Sequence, residues 1–470
     1  MDEIDLTYGA SDTNYKWHSN SRVIKLFCLF CSIAMLIAAP IGAAVTGEYG
    51  EVFKNFWKIL ISPCPLVTDY YRLGGFGSAM LNGGLCGLSI AAIMILVRRK
   101  ATGTTLAGYF LVIAHCFYGL NLLNMWPCFL GVLLYCKVLH EDIGDNLHFA
   151  MFATSMGPLV SELLFRYTLG DAFVFGSVQI TWQGILLTVI LSVVIGFLVP
   201  AMVPGTGKMH KSLNLYKAGL GIGLTGMFIY ALLYKTFGIT SPTPTVVENP
   251  LYESFGCSYL LPVDTFFVIV FLLCILWGFL LNNKSFKGYG ALFRCSGYNM
   301  DLSETFGMPI VLINIGIYGL FILAYMNGIV LFTDGAGFTG PTTGVVIAAI
   351  TFSAIGQHPR NVWPIMVGYA LLFAVVRGIS AIAGLDPVWS LSTQGYINGF
   401  AFATGLCPIT SKYGWKYGIA AGFLDAVLCT STAAMHGGFV LYNGGLTAGL
   451  TALLLVPILE HYQVQEIDEF

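Results

Sequence analysis

Apolar runs of twenty or more residues recur along the whole chain, as from Arg22 to Val45 and from Phe266 to Leu281 with their flanks. Runs of that length match the hydrocarbon core of a bilayer, which about 20 residues of α-helix cross. Only helices and closed β-barrels satisfy every backbone group in lipid. Barrel strands are segments of about ten residues with alternating polarity, and these runs are too long for them. The sequence therefore predicts an all-α polytopic membrane protein whose first partner is the lipid bilayer. Only 10% of the 470 residues are charged and 56% are hydrophobic, against roughly 25% and 45–50% in soluble domains. A mean hydropathy of +0.77 is too high for one membrane anchor on a soluble domain. Lys+Arg 22 against Asp+Glu 24 leaves a net charge of -2, so no nucleic acid or other polyanion is an expected partner.

Spans fall near 23–45, 76–97, 104–123, 181–204, 215–237, 259–282, 306–330, 337–355, 362–384, 415–435 and 440–459. Weaker segments at 125–139, 147–165 and 396–410 bring the expectation to about 11–14 spans. The first span reads as retained, because Asp2, Glu3, Asp5 and Asp12 crowd a region where a cleavable signal needs positive charge. Most of the 12 cysteines lie inside apolar runs, and Cys28-x-x-Cys31 is a poor place for zinc or a redox dithiol. No metal site and no cofactor are expected.

Internal similarity divides the chain. Gly87-Leu88-Ser89-Ile90-Ala91-Ala92-Ile93 matches Gly344-Val345-Val346-Ile347-Ala348-Ala349-Ile350, and Gly108-Tyr109 matches Gly368-Tyr369. Phe152-Ala153-Thr154-x-x-x-Pro158-Leu159-x-Ser161 matches Phe402-Ala403-Thr404-x-x-x-Pro408-Ile409-x-Ser411. Leu215-Tyr216-x-x-Gly219-Leu220-x-x-Gly223 matches Leu441-Tyr442-x-x-Gly445-Leu446-x-x-Gly449. Four matches in one order predict two homologous halves: a tail over 1–21, a repeat over 22–237, a linker with one span over 238–305, a repeat over 306–460 and a tail over 461–470.

Relative orientation follows from parity. Six shared spans and one linking span invert the second half. The positive-inside rule gathers Arg98, Arg99, Lys100, Lys137, Lys208, Lys211, Lys284, Lys287, Arg294, Arg360, Lys412 and Lys416 on one side only if 125–139 also crosses. That crossing makes the two Phe-Ala-Thr segments run in opposite directions, which a repeat should not allow. The arguments conflict; parity is followed, and inverted repeats are expected.

The Phe-Ala-Thr segments carry the sharpest chemistry. Pro158 and Pro408 each remove a backbone donor and free a carbonyl one turn earlier. Thr154, Ser155, Ser161, Thr404, Thr410 and Ser411 place hydroxyls beside them. Paired broken or re-entrant segments in related halves point to a transporter site; a kinked helix satisfying its own backbone is the plainer alternative. Gly-rich helix starts form a second set: Asn82-Gly83-Gly84, Thr342-Thr343-Gly344 and Asn443-Gly444-Gly445. Their amides suit an anion or dipole, or their glycines simply permit close helix crossing.

Ionisable side chains inside spans are costly and suggest function. Asp425 lies mid-span, with Thr430, Ser431 and Thr432 following, an arrangement suited to Na⁺ or a proton. Arg377 is the candidate counter-ion, and His115 a candidate relay; a structural Asp–Arg pair is the alternative. His436 is expected at the interface. No HExxH, GxSxG or Walker string occurs, so no catalytic residue is assigned.

The repeat, the length and the Phe-Ala-Thr-x-x-x-Pro segments together resemble a family of bacterial multi-pass membrane proteins known only as a domain of unknown function. That resemblance implies the bacterial cytoplasmic (inner) membrane and brings no activity. Leu441-Tyr442-Asn443-Gly444-Gly445-Leu446 also resembles a helix start of urea transporters, but Asn82 is followed by Gly83 where that family has Pro. The expected function is a transporter or channel moving a small-molecule or ion substrate between two pseudo-symmetric halves, with a homo-oligomer left open. A membrane-embedded enzyme acting on a lipid is the alternative.

Overall fold

The computed structural model describes residues 13–167, 178–237, 259–333, 335, 337–386 and 389–467, with side chains from Asn20 onward. The described elements are helical throughout. The first part of the chain runs through α1 (Thr13–Val45), α2 (Val52–Ile61), α3 (Tyr70–Leu96), α4 (Gly103–His115) and α5 (Trp126–Leu139). It continues through α6 (Leu147–Ala153), α7 (Gly157–Phe165), α8 (Trp182–Met209) and α9 (Lys217–Tyr230). The second part holds α10 (Leu260–Leu281), the short α11 (Tyr289–Leu292) and α12 (Leu302–Thr305), α13 (Met308–Phe332), α14 (Gly340–Ala349) and α15 (Pro359–Ala383). It ends with α16 (Gln394–Ala403), α17 (Cys407–Tyr413), α18 (Trp415–Leu428), the short α19 (Thr432–Met435) and α20 (Asn443–His461).

Among the described residues eight helices are long and apolar enough to cross a membrane: α1, α3, α8, α9 with its continuation to Thr236, α10, α13, α15 and α20. The shorter apolar α4, α5 and α14, the broken pairs α6–α7 and α16–α17, and α18 complete the set. The chain is an all-helical, multi-pass membrane protein. On α2, Phe53 and Trp57 are exposed beside Lys54 and Lys58, the pattern of a helix lying in a membrane interface.

The halves repeat, and four features define the repeat. Asp69 caps α3, and six residues later Gly75 turns the chain with φ 81. Asp301 caps α12, and six residues later Gly307 turns it with φ 84 before α13. Only glycine takes that left-handed turn without strain. Thr102 caps α4 by accepting from the Thr105 amide, and Thr339 caps α14 by accepting from the Thr342 amide. Asn124 accepts from the Asn121 amide and donates to the Gly119 carbonyl, while Asn361 accepts from the His358 amide and donates to the Gly356 carbonyl. Both broken segments pass through a three-residue 3₁₀ turn, Thr154–Met156 and Thr404–Leu406.

This alignment corrects two of the sequence matches, Gly87 with Gly344 and Gly108 with Gly368, the second because Thr102 and Asn124 pair with Thr339 and Asn361 and so set Gly108 opposite Val345. Asn82 corresponds to Asn314, because each donates to the carbonyls of a break: Cys116 and Leu120 for Asn82, Ser353 and Gln357 for Asn314. Gly84 and Gly87 therefore correspond to Gly316 and Gly319, and Gly87 does not pair with Gly344. The Gly84–Gly87 pair lies against α1, and the Gly316–Gly319 pair lies against α10. α10 thus packs on α13 as α1 packs on α3, so the span first read as a linker belongs to the second repeat. The misleading matches were short strings opening on Gly, which recur by composition alone.

The halves are inverted. The Gly103 amide, seven residues after α3 ends, donates to Asp301 Oδ2 at 2.9 Å, just before α13 begins. The Gly340 amide, after α13 ends, donates to Asp69 Oδ1 at 2.9 Å, just before α3 begins. α3 and α13 therefore run antiparallel. Arg99 pairs with Asp142 at 2.5 Å, which returns α5 to the end where α4 started. Segment 126–139 thus crosses, and the Phe-Ala-Thr segments run in opposite directions, as inversion requires. Tyr298 donates to the Lys211 carbonyl and lies under the Lys412 ammonium, and His358 meets the Cys295 carbonyl at that same end. The Lys/Arg-rich loops so gather on one face, and α2 marks the other.

Candidate functional site

The pseudo-two-fold axis passes through the crossing of α9 and α20. A Cβ built on Gly219 would lie 2.5 Å from Gly445 Cα, so equivalent residues face each other there. Gly223 abuts Leu446, and Gly449 abuts Leu220, its mirror contact. Just ahead of these helices each half reaches into the other's broken segment. The Leu215 amide donates to the Gly405 carbonyl at 2.8 Å, and the Leu441 amide donates to the Ser155 carbonyl at 2.9 Å. The 3₁₀ turns that free carbonyls in the Phe-Ala-Thr segments are thus closed from across the interface, which is what irregular backbone at membrane depth needs.

Aromatic rings fill the space between. Tyr216 meets Phe352 and Phe402 at 4.5 and 5.1 Å between centroids. Its equivalent Tyr442 meets His115 and Phe152 at 5.7 and 6.1 Å. His115 therefore stands where the second half has Phe352. On the second-half side Tyr216 donates to the Ala348 carbonyl, and Gln357 donates to Thr404 at 2.7 Å. The first-half side is open in its hydrogen bonding. Both ring nitrogens of His115 and the hydroxyls of Tyr118, Tyr442 and Ser155 are buried without a partner. Leaving such a group unpaired costs about 1–3 kcal/mol, which makes this set the candidate site.

The other expected residues divide clearly. Thr154 donates to the Met151 carbonyl and Thr404 to the Ala401 carbonyl, each at 2.7 Å. Pro158 and Pro408 open α7 and α17 just past the breaks. Ser161 accepts from Asn124, Ser411 bonds the Cys407 carbonyl, and the Thr410 hydroxyl is buried without a partner. Asn82 spends its amide on the break after α4 and takes the Leu122 amide on its oxygen. Thr342 and Thr343 belong to the cap of α14, where Thr339 and Gln394 bond them. None of these last three bonds to a residue of the axis cluster.

Asp425 lies fully buried, but its partners are not those expected. Tyr369 donates to Oδ2 at 2.6 Å and Thr451 to Oδ1 at 3.3 Å. Arg377 is exposed over the Phe373 ring and forms no pair with it. Helix α15 turns Arg377 outward, two turns beyond Tyr369. Thr430 is half-buried and Ser431 exposed, so neither serves the carboxylate. Asn443 meets His436, which is buried.

Sequence reasoning missed a buried ion pair, Arg166 Nε to Glu162 Oε2 at 2.6 Å, with Tyr234 donating to Glu162 Oε1 at 3.0 Å. Its spacing of four residues was the available signal. It also missed Asn121, Asn124, Asn361 and Gln357, the buried amides of the two breaks. Among the described residues no cluster of His, Cys, Asp or Glu could hold a metal ion.

No curated protein and no solved structure matches the chain. A family model does, over residues 48–235 and 281–461, two stretches that each hold most of one repeat. With most of its length matched, the chain belongs to the family described as Protein of unknown function (DUF1576).

Proposed function

We propose that this protein is a transporter or channel for a small polar solute or ion, whose pathway follows the interface of the inverted halves. The observation that carries the reading is the cluster of His115, Tyr118, Tyr442 and Ser155 on the axis, buried and unpartnered beside two broken helices. Inverted repeats with discontinuous helices at their interface are the architecture in which alternating access arises. The cluster offers hydroxyl and imidazole groups and aromatic faces, with no charged side chain among them, which favours a small solute held by hydrogen bonds.

The resemblance to bacterial membrane proteins and the gathering of Lys and Arg on one face support an inner-membrane location with that face cytoplasmic. The alternative of an intramembrane enzyme gains no supporting geometry. His115 is ringed by aromatics and Asp425 is bonded to Tyr369 and Thr451, so these two do not form an acid–histidine pair.

The test is a thermal-shift screen of purified protein against urea, amides, amino acids, organic anions and monovalent cations, followed by liposome uptake of each stabilising compound. His115→Phe restores the residue type found at the equivalent Phe352, so the fold should survive it. The variant should lose both the ligand shift and uptake. Unchanged uptake in His115→Phe would overturn the axis cluster as the pathway.

A further inference from the structure

We infer that Asp425 binds and releases a proton, and that a ladder of polar side chains between α18–α19 and α20 connects it to the α2 face. As a coupling site this rests on the transport reading; as a proton site it stands alone. Three rungs are in place. Thr451 meets Asp425 at 3.3 Å, Thr447 meets Thr432 at 2.8 Å, and Asn443 meets His436 at 3.0 Å. On α20 these residues are spaced four apart, one above another on one face. Beyond His436 the Gly438 carbonyl accepts from the Leu66 amide in the loop ahead of α3, so the ladder leads toward the face that α2 marks.

The carboxyl group has partners in both protonation states. As an anion it accepts from Tyr369 on Oδ2 and from Thr451 on Oδ1. As an acid it still accepts from Tyr369, while its proton on Oδ1 turns to the Thr451 oxygen, a hydroxyl being both donor and acceptor. A sodium ion would need several more oxygens than these, and both hydroxyls already aim their hydrogens at the carboxylate. The proton comes from water at the α2 face and returns there or to the opposite side; no other bond is made or broken.

The groups facing Asp425 are Tyr369 from α15, Thr451 from α20 and Cys429 from its own segment, with Tyr396 of α16 behind Tyr369. Among the described residues no Lys, Arg or His pairs with it. Arg377 of α15 is exposed, Lys412 of α17 is held by Glu466, and Arg360 and Lys416 sit at the Lys/Arg-rich face. Among the described residues the first half has no such ladder. Asn443, Thr447 and Thr451 correspond to Lys217, Gly221 and Thr225, where Thr225 bonds the Gly221 carbonyl, and α8 carries no acid. The fold therefore does not require the ladder.

The experiment is infrared difference spectroscopy of the full chain in lipid, titrated from acidic to alkaline buffer and again with added sodium. One protonated-carboxyl band should disappear on alkalinisation, be absent from Asp425→Asn, and ignore sodium. Thr447→Val should leave that titration in place but slow deuterium exchange of the carboxyl proton about tenfold, the factor for one lost hydrogen-bond step. No band assignable to Asp425, or a sodium-induced rise in Tm that Asp425→Asn abolishes, would overturn the proton site. An unchanged exchange rate in Thr447→Val would overturn the route. A titrating Asp425 in a protein that moves no solute would uphold this inference and refute the transport reading.

Discussion

Removing the Asp69 carboxylate should damage the protein more than removing its equivalent, and the structure sets the size of the difference. Asp69 Oδ1 accepts from the Tyr71 amide at 2.9 Å, closing α3, and from the Gly340 amide at 2.9 Å, closing α14 of the other half. Both bonds are buried. A lost helix cap costs about 1 kcal/mol, and a lost bond to a charged acceptor about 1.5–3 kcal/mol. Asp69→Ala should therefore destabilise by about 3 kcal/mol. Asp301 also caps its helix and accepts from Gly103, but it is only half-buried, so water replaces part of what is lost and Asp301→Ala should cost about 1–2 kcal/mol. Asn at either position keeps an acceptor oxygen and should cost less than Ala. The two sites lie at opposite faces, so the double variant should be additive. Reversible unfolding in bicelles measures the energies, and a thiol-reactive dye reports the transition, because ten of the described cysteines are buried. If Asp69→Asn proves as costly as Asp69→Ala, or Asp69→Ala costs nothing measurable, the cross-half caps do not hold the halves together.

Gly219→Val should prevent assembly of the halves, since its side chain would enter the Gly445 backbone; Gly205→Ala, with nothing within 4 Å, is the matched control, and monodisperse yield in detergent compares them. Asn314→Leu strips the donors from the Ser353 and Gln357 carbonyls and should cost about 2–5 kcal/mol by bicelle unfolding, with Asn82→Leu similar; a cost under about 1 kcal/mol for both would deny the amides their bracing role. The Arg99 guanidinium holds Asp142 below the usual carboxylate range. A lowered folded pKa means the stabilisation is present above the ordinary range and is lost as pH falls through the folded value. Protection of the 140–146 amides, referenced to the intrinsic exchange rate at each pH, should then fall in acid, and Asp142→Asn should show that lowered protection at neutral pH.

The class of fold was legible because lipid leaves so few solutions: run length alone separated helices from strands. The broken segments were legible too, since Phe-Ala-Thr and Pro at fixed spacing survive in both halves. The rest of the repeat was hidden by its own economy. Asp69 and Asp301, Thr102 and Thr339, and Asn124 and Asn361 are single polar residues whose meaning lies in one hydrogen bond each. Strings of Gly and Ala, by contrast, match anywhere in a chain with Gly 55. Asp425 could be recognised from its depth, but its partners Tyr369 and Thr451 come from two other helices. Arg377 misled because spacing along one helix says nothing of which way that helix is turned. His115 drew notice as a charge-capable residue, while its significance lies in what surrounds it, an aromatic cage that leaves both nitrogens without a partner.

The exchanged caps also impose an order of events during synthesis. The amide end of α4 is completed by Asp301, which lies 198 residues further along. At about 5–20 residues per second, the ribosome delivers that residue roughly 10–40 seconds after Gly103. Asp69 waits longer still, because Gly340 follows it by 271 residues. Through that interval the Gly103 amide and the Asp69 carboxylate lack their partners from the other half, and they depend on the insertion machinery or lipid headgroups to cover them. A nascent chain stalled before Asp301 should therefore be open to membrane proteases, whereas release after Gly340 lets both ends close together.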